Sequence, residues 1–167
     1  MNYKLEKLGM HIREVSIKNT DLRVNNLLGV SMYKELIPSQ ANIIGTDLSK
    51  YKVAKKGQFA YGPVTSRNGD RISIGIVEDN ECIVSTSYTV FEIIDQTKLY
   101  PHFLMLWFSR PEFDRYARFK SHGSVREIFS WEEMCNVEIP IPDMSVQKAI
   151  SLGESFVKKN TLHIGGK

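Results

Sequence analysis

The sequence has little of what membrane, secreted or disulfide-bonded proteins require. No apolar run approaches the roughly 20 residues of a membrane-spanning helix, and residues 1–15 lack the apolar core of a signal peptide. Cys82 and Cys135 are the two cysteines, and they lie far apart without a CxxC partner. Idle or buried thiols are favoured over a metal site or a disulfide. We therefore expect a cytoplasmic protein with no membrane segment.

Local signatures of catalysis are also missing. The sequence has neither the Asn/Asp-Pro-Pro-Tyr nor the Pro-Cys motif of a DNA methyltransferase, and Gly165-Gly166 is a terminal pair rather than a phosphate loop. The acids that a metal-dependent nuclease would group on a core strand lie in predicted turns and in Glu132-Glu133-Met134. No metal-ligand spacing relates the four histidines, which are His11, His102, His122 and His163. We expect no catalytic residue, no metal and no cofactor, with acid–base chemistry by distant residues left open.

What the sequence does contain is an ordinary globular composition with its charge in blocks. A chain of 167 residues with 42% apolar residues predicts one domain around one core. The net charge is +3, but residues 50–71 carry six bases and one acid, and residues 78–95 carry five acids and no base. Residues 115–126 are again basic and residues 127–143 acidic. If the basic blocks share a face, that face suits a polyanion; the alternative is interspersed, solvated charge.

The apolar pattern predicts several strands. Residues 58–61, 72–77 and 82–94 are rich in β-prone side chains, and residues 4–15 fit a short amphipathic or extended segment. The hydroxyl-rich residues 85–89 interrupt the longest run. They fit a ligand-facing patch, a bulge or a pair of strand ends.

A helical pair is predicted after these strands. Residues 101–113 have helical character, and Pro111 marks either a break or the first turn of a second helix. Residues 114–119 continue that second helix. The expected core side chains of this region are Tyr116, Phe119, Trp131 and Met134.

Residues 62–71, GPVTSRNGDR, form the first basic loop. Asn68-Gly69 is the strongest short hairpin signal, and Arg67 and Arg71 flank it. Arginine and asparagine side chains bind phosphate oxygens and can each bond a base edge in two places. A surface hairpin with solvated arginines is the alternative.

The second basic segment is residues 115–126, RYARFKSHGSVR, which contains no acid and ends in a Gly-Ser turn. An acidic, aromatic stretch follows at residues 128–138. Ile139-Pro140-Ile141-Pro142 must be extended, because each proline pushes the preceding residue out of the α region. Asp143 or Ser145 can then cap a helix that starts near Val146.

The order of these parts resembles the target recognition domain of type I restriction–modification specificity (S) subunits. The likeness covers roughly residues 3–156. Its motifs are the strand pair and variable loop in residues 41–75, the strand CIVSTSYTVFEI at 82–93, the helical YPHFLMLWFSRPEFDRYA at 100–117, and the closing GSVREIFSWEEMCNVEIPIP at 123–142 with Gln147 and Ile150.

The resemblance implies an α/β (mixed α+β) globule, with a twisted, mostly antiparallel sheet and flanking helices, followed by a helix from the conserved region. It implies a recognition domain over residues 1–142, the start of a spacer helix over 143–160 and a tail over 161–167. Full subunits carry two such domains held apart by paired helices. With one domain and a helix that looks truncated, this chain is expected to be a half-subunit that forms a homodimer, or an inactive or phase-variable fragment.

The implied function is sequence-specific recognition of double-stranded DNA without catalysis. Such a subunit positions DNA for modification (methyltransferase) subunits, which methylate adenine, and for restriction subunits, which cut. Two alternatives stay open: a stand-alone enzyme such as a nuclease, and an interaction or regulatory module that binds modification subunits without reading DNA.

Eleven residues are candidates for contact with DNA. The candidates for reading bases are Arg67, Asn68, Arg71, His122, Ser124 and Arg126. The candidates for holding phosphates are Lys55, Lys56, Arg115, Arg118 and Lys120. Arg126 has a rival role, which is to pin its loop to an acid such as Glu132. We expect Arg67→Ala to alter sequence preference and Lys56→Ala to weaken binding to all DNA equally.

Overall fold

The structure is a computed structural model that describes residues 3–31, 33–67 and 69–164, with all of their side chains except those of Arg67 and residues 159–164. These residues form ten short strands and four α-helices. The strands are β1 (Leu5–Lys7), β2 (Ile12–Val15), β3 (Leu28–Val30), β4 (Leu36–Pro38), β5 (Lys52–Ala54), β6 (Phe59–Gly62), β7 (Ser73–Ile76), β8 (Cys82–Val84), β9 (Thr89–Ile93) and β10 (Glu138–Pro140). The helices are α1 (Pro101–Phe108), α2 (Pro111–Phe119), α3 (Trp131–Asn136) and α4 (Met144–Ile164).

A four-stranded antiparallel sheet forms the centre of the fold, in the order β2-β9-β6-β7. In its middle, Phe59 of β6 lies opposite Ile76 of β7 on one side and Phe91 of β9 on the other. Three further antiparallel pairs surround it: β1 with β10, β3 with β4, and β5 with β8. The expected mixed fold with a mostly antiparallel sheet is confirmed.

Aromatic side chains fill the core between this sheet and the helices. The rings of Phe59 and Phe91 stack with centroids 5.0 Å apart, and Phe108 of α1 meets both edge-on. Met134 is fully buried and Trp131 packs partly buried against the same cluster, as expected. Edge-to-face and stacked pairs of this kind stabilise a core beyond the area that they bury.

Prolines and one capping serine set the helix boundaries. Pro101 and Pro111 occupy the first turns of α1 and α2, where a missing N–H costs nothing. The interpretation of Pro111 as the start of a second helix is therefore confirmed. Ser130 accepts a hydrogen bond from the Glu133 amide at 3.2 Å and so begins α3.

Phe119 was expected in the core, and this prediction is wrong because its side chain is 78% exposed. The buried stripe of α2 consists of Phe113 and Ala117, which stand four residues apart. Phe119 follows Ala117 by two residues, roughly half a turn of helix. It therefore faces away from the core.

The segment 82–94 contains two strands rather than one. β8 pairs with β5, and β9 lies in the central sheet. The hydroxyl-rich residues between them are thus a pair of strand ends joined by a turn. Residues 4–15 are extended for the most part, since β1 and β2 flank one 3₁₀ turn.

Helix α4 begins two residues before the predicted start at Val146 and continues to Ile164. Residues 161–164, predicted as a tail, are therefore helical. Gln147 ties the helix to the core: its side chain is fully buried, accepts a hydrogen bond from the Tyr100 amide and donates to the carbonyls of Lys98 and Pro142. Among the described residues, no helix has the length and apolar character to span a membrane.

Candidate nucleic-acid interface

The two predicted basic loops meet at one end of the central sheet. The β6–β7 loop is residues 63–72, and the α2–α3 loop is residues 120–130. The Thr65 amide donates to the Glu127 carbonyl at 3.0 Å, and the Phe129 amide donates to the Pro63 carbonyl at 2.8 Å. The Thr65 hydroxyl also donates to Ser121 at 2.8 Å. These bonds make the two loops one continuous surface.

The α2–α3 loop is closed on itself like a narrow ribbon. The amides of His122 and Ile128 each donate to the other's carbonyl, at 3.0 and 2.9 Å. Gly123 has a φ of 140°, and a Cβ there would overlap the carbonyl oxygen of Arg126. Only glycine fits this position. The closed ribbon leaves residues 124–126 exposed at its tip.

Three of the predicted arginines line one groove of about 1160 Å³ that reaches the β6–β7 loop, namely Arg71, Arg115 and Arg118. Arg118 donates a hydrogen bond to the Gly69 carbonyl, which joins α2 to the β6–β7 loop. Arg115 lies 3.6 Å from Glu112 and is largely exposed. The basic side of α2 therefore continues the surface of the two loops.

A buried ion pair, Lys34 with Asp114, lines this groove. It was not predicted from the sequence. The Lys34 ammonium donates to the Asp114 carboxylate and to the Phe108 carbonyl, each at 2.6 Å. The same carboxylate oxygen accepts the Ile72 amide at 3.0 Å. Burial lowers the pKa of Lys34, with a smaller contribution from Arg71, against the raising effect of Asp114. No local signal marks this pair, since its partners lie 80 residues apart in the chain.

The turn with Lys55 and Lys56 lies elsewhere. Those residues precede Phe59, where β6 begins, whereas the β6–β7 loop follows Gly62, where β6 ends. A four-residue strand, roughly 13 Å long, therefore separates the lysines from the basic loops. The structure therefore brings residues 63–71 of the first basic block next to the second block, residues 115–126. Lys55 and Lys56 lie at the other end of β6.

The remaining candidates occupy varied positions. His122 lies 3.7 Å from Glu133, and the Lys120 ammonium lies 5.8 Å from the ring centroid of Phe119. Ser124 and Arg126 are exposed at the ribbon tip. In the described part of the chain, no ion pair joins Arg126 to Glu132, so its predicted pinning role is not seen. The Arg67 side chain and Asn68 lie outside the described residues.

Neither cysteine is part of this surface. Both thiols are free, and burial raises the pKa of Cys82 to about 11. Where the structure describes the chain, it groups no three His, Cys, Asp or Glu side chains that could hold a metal ion.

Comparison with known proteins decides the family. Residues 29–153 match the family described as the type I restriction modification DNA specificity domain. The chain belongs to this family. No match emerges among curated proteins.

Solved structures of type I systems share the fold. The HsdS subunit from Thermoanaerobacter tengcongensis is similar over 97% of this chain and 43% of its own, with a TM-score of 0.72 and 16% identity. The type I restriction-modification S subunit from M. genitalium matches over 99% of this chain and 41% of its own, with a TM-score of 0.59 and 11% identity. A structure concerning complex assembly and conformational transition of the type I R-M system matches over 97% of this chain and 40% of its own, with a TM-score of 0.64 and 13% identity. The chain therefore spans less than half the length of these proteins.

Proposed function

We propose that this domain reads part of a double-stranded DNA target and positions that DNA for partner subunits. The modification subunits would methylate adenine, and the restriction subunits would cut unmodified DNA. The domain itself contributes recognition rather than chemistry and acts in the cytoplasm. A homodimer would supply two recognition domains.

The observation that carries this proposal is the fusion of two basic loops into one exposed surface. Hydrogen bonds between their backbones fix the loops to one another, directly after the end of β6. Arg118 links the surface to α2 through the Gly69 carbonyl. Preorganised donors on rigid supports suit base readout, while arginines on the adjacent helix suit phosphates.

The contacts divide into two classes with different expected effects. Arg115 and Arg118 lie along the side of a helix and fit phosphates, so losing one should lower the salt slope of binding by about 0.9. Ser124 and Arg126, which are exposed on the α2–α3 loop, and Arg71, which lines the groove, are the candidates for base edges. Losing a two-point contact to a base should cost about 1–3 kcal/mol of discrimination.

The test uses the chain co-purified with a modification subunit of its own system. Selection from a pool of random duplexes should enrich a motif, and Arg126→Ala should relax that motif at one position. Arg118→Ala should weaken binding to every duplex, both by losing a phosphate contact and by releasing the Gly69 carbonyl of the β6–β7 loop. Lys56→Ala serves as the matched control. Lys56 lies at the other end of β6 from the loops, so this variant should lose less DNA affinity than Arg118→Ala.

Two outcomes would contradict the proposal. One is sequence-blind binding in which Arg126→Ala and Arg118→Ala behave like Lys56→Ala. The other is tight association with the modification subunit but no enriched motif, which would favour a module that docks without reading DNA.

A further inference from the structure

The tip of the ribbon carries one apolar residue, Val125, which is not among the candidates for DNA contact. Val125 is 92% exposed and stands between two polar candidates, Ser124 and Arg126. Exposed apolar residues are ordinary when they are scattered over a surface. This one stands at the tip of the ribbon, between two candidates for base contact, while the exposed acid of the ribbon, Glu127, lies two residues further on.

Backbone hydrogen bonds fix the base of the ribbon that carries Val125. Reciprocal hydrogen bonds between His122 and Ile128 close the loop, and Gly123 turns the chain where no side chain fits. A second bridge, from Ile128 to Val64, anchors the ribbon to the β6–β7 loop. Valine branches at Cβ and has few rotamers. Its two methyl groups therefore take few orientations relative to the backbone of the tip.

The shape and chemistry of this tip fit the major groove. That groove admits a two-stranded ribbon, and the only apolar group on its base edges is the C5-methyl of thymine. A valine stays close to its backbone, so it can touch a group on the groove edge but is too short to wedge between base pairs. Ser124 and Arg126 would bond polar edges on either side.

We propose that Val125 contacts the C5-methyl group of a thymine and so determines specificity at one position of the target. This inference rests on the proposed function of the surface. It adds an apolar contact, which hydrogen-bonding residues alone cannot provide.

The test replaces each thymine of the selected motif by deoxyuridine, one position at a time. This change removes one methyl group and keeps every hydrogen bond of the base pair. With the wild-type complex, one position should lose affinity by about fourfold, which corresponds to burial of one methyl group. With Val125→Ala, thymine and deoxyuridine should bind equally at that position. Affinity is measured by fluorescence anisotropy at fixed salt.

Ile44→Ala is the matched control, because Ile44 is 91% exposed on a separate turn at residues 43–46. That variant should keep the full penalty for deoxyuridine. An enriched motif that tolerates deoxyuridine at every position would overturn the inference while leaving the proposed function intact. So would a penalty unchanged in Val125→Ala, or a motif without an A·T pair. Failure to enrich any motif would instead overturn the proposed function itself.

Discussion

Replacing Lys34 by methionine should destabilise the fold severely. The Lys34 and Asp114 side chains are only 7% and 12% exposed, and their charged atoms lie 2.6 Å apart. Methionine keeps most of the aliphatic part of the side chain but leaves the Asp114 carboxylate, which accepts the Ile72 amide, buried without the lysine ammonium. Removing one partner of a buried pair costs about 3–5 kcal/mol. A domain of this kind has a total stability of roughly 5–15 kcal/mol.

Urea unfolding monitored by tryptophan fluorescence measures this cost. The midpoint should fall while the slope stays constant, because the surface exposed on unfolding does not change. Lys50→Met is the matched control, since the Lys50–Asp47 pair is exposed and its atoms lie 3.9 Å apart. Exposed pairs of this kind contribute little to stability.

The double variant Lys34→Met/Asp114→Leu separates lost attraction from a stranded charge. It should recover part of the stability, because no buried carboxylate remains without its counterion. A loss in Lys34→Met no greater than in Lys50→Met would refute the reasoning. A double variant less stable than Lys34→Met would mean that the Ile72 amide, which loses its acceptor, costs more than the stranded carboxylate does.

Three other substitutions test separate parts of the structure. Gly123→Ala should distort the ribbon, because Cβ would meet the Arg126 carbonyl, and anisotropy should show loss of motif preference with stability nearly kept. Phe91→Ala should lower the free energy of unfolding by about 3–5 kcal/mol in urea, because the ring is fully buried. Glu92→Gln should flatten the acid limb of a stability-versus-pH curve. Burial raises the pKa of Glu92, but hydrogen bonds from Gln58 and Arg13 outweigh it and leave that pKa below 4.5.

The sign of the Glu92 effect follows from linkage. A carboxyl group with a lowered pKa in the folded state stabilises the fold above its ordinary pKa, and this contribution is lost as the pH falls through the lowered value. Wild type should therefore lose more stability than Glu92→Gln on acidification. Parallel curves would contradict that expectation. Unchanged motif preference in Gly123→Ala would contradict the prediction for the ribbon. A loss of unfolding free energy below about 1 kcal/mol in Phe91→Ala would contradict the prediction for the core.

Local patterns predicted much of the fold. Proline at the first turn of α2 and β-prone runs at β6, β7 and β9 act within a few residues, so sequence shows them directly. The two basic loops were recognised for the same reason. Their contact through Thr65 and Glu127 depends on the sheet that places them at one end.

The misses share a different cause. The Lys34–Asp114 pair is set by tertiary packing between distant segments. Phe119 was misplaced because helical spacing was judged without knowing which stripe of α2 faces the sheet.

Mapping methylated adenines in a host genome tests the central claim most directly. The chain is co-expressed with a modification subunit of its own system, and the map is compared with that of cells expressing the modification subunit alone. Recognition by this domain predicts a new methylated motif that appears only with the chain; a split, symmetric motif would mean that two copies form the reader. A soluble, folded chain that produces no new methylated motif would contradict the claim that this domain recognises a DNA sequence.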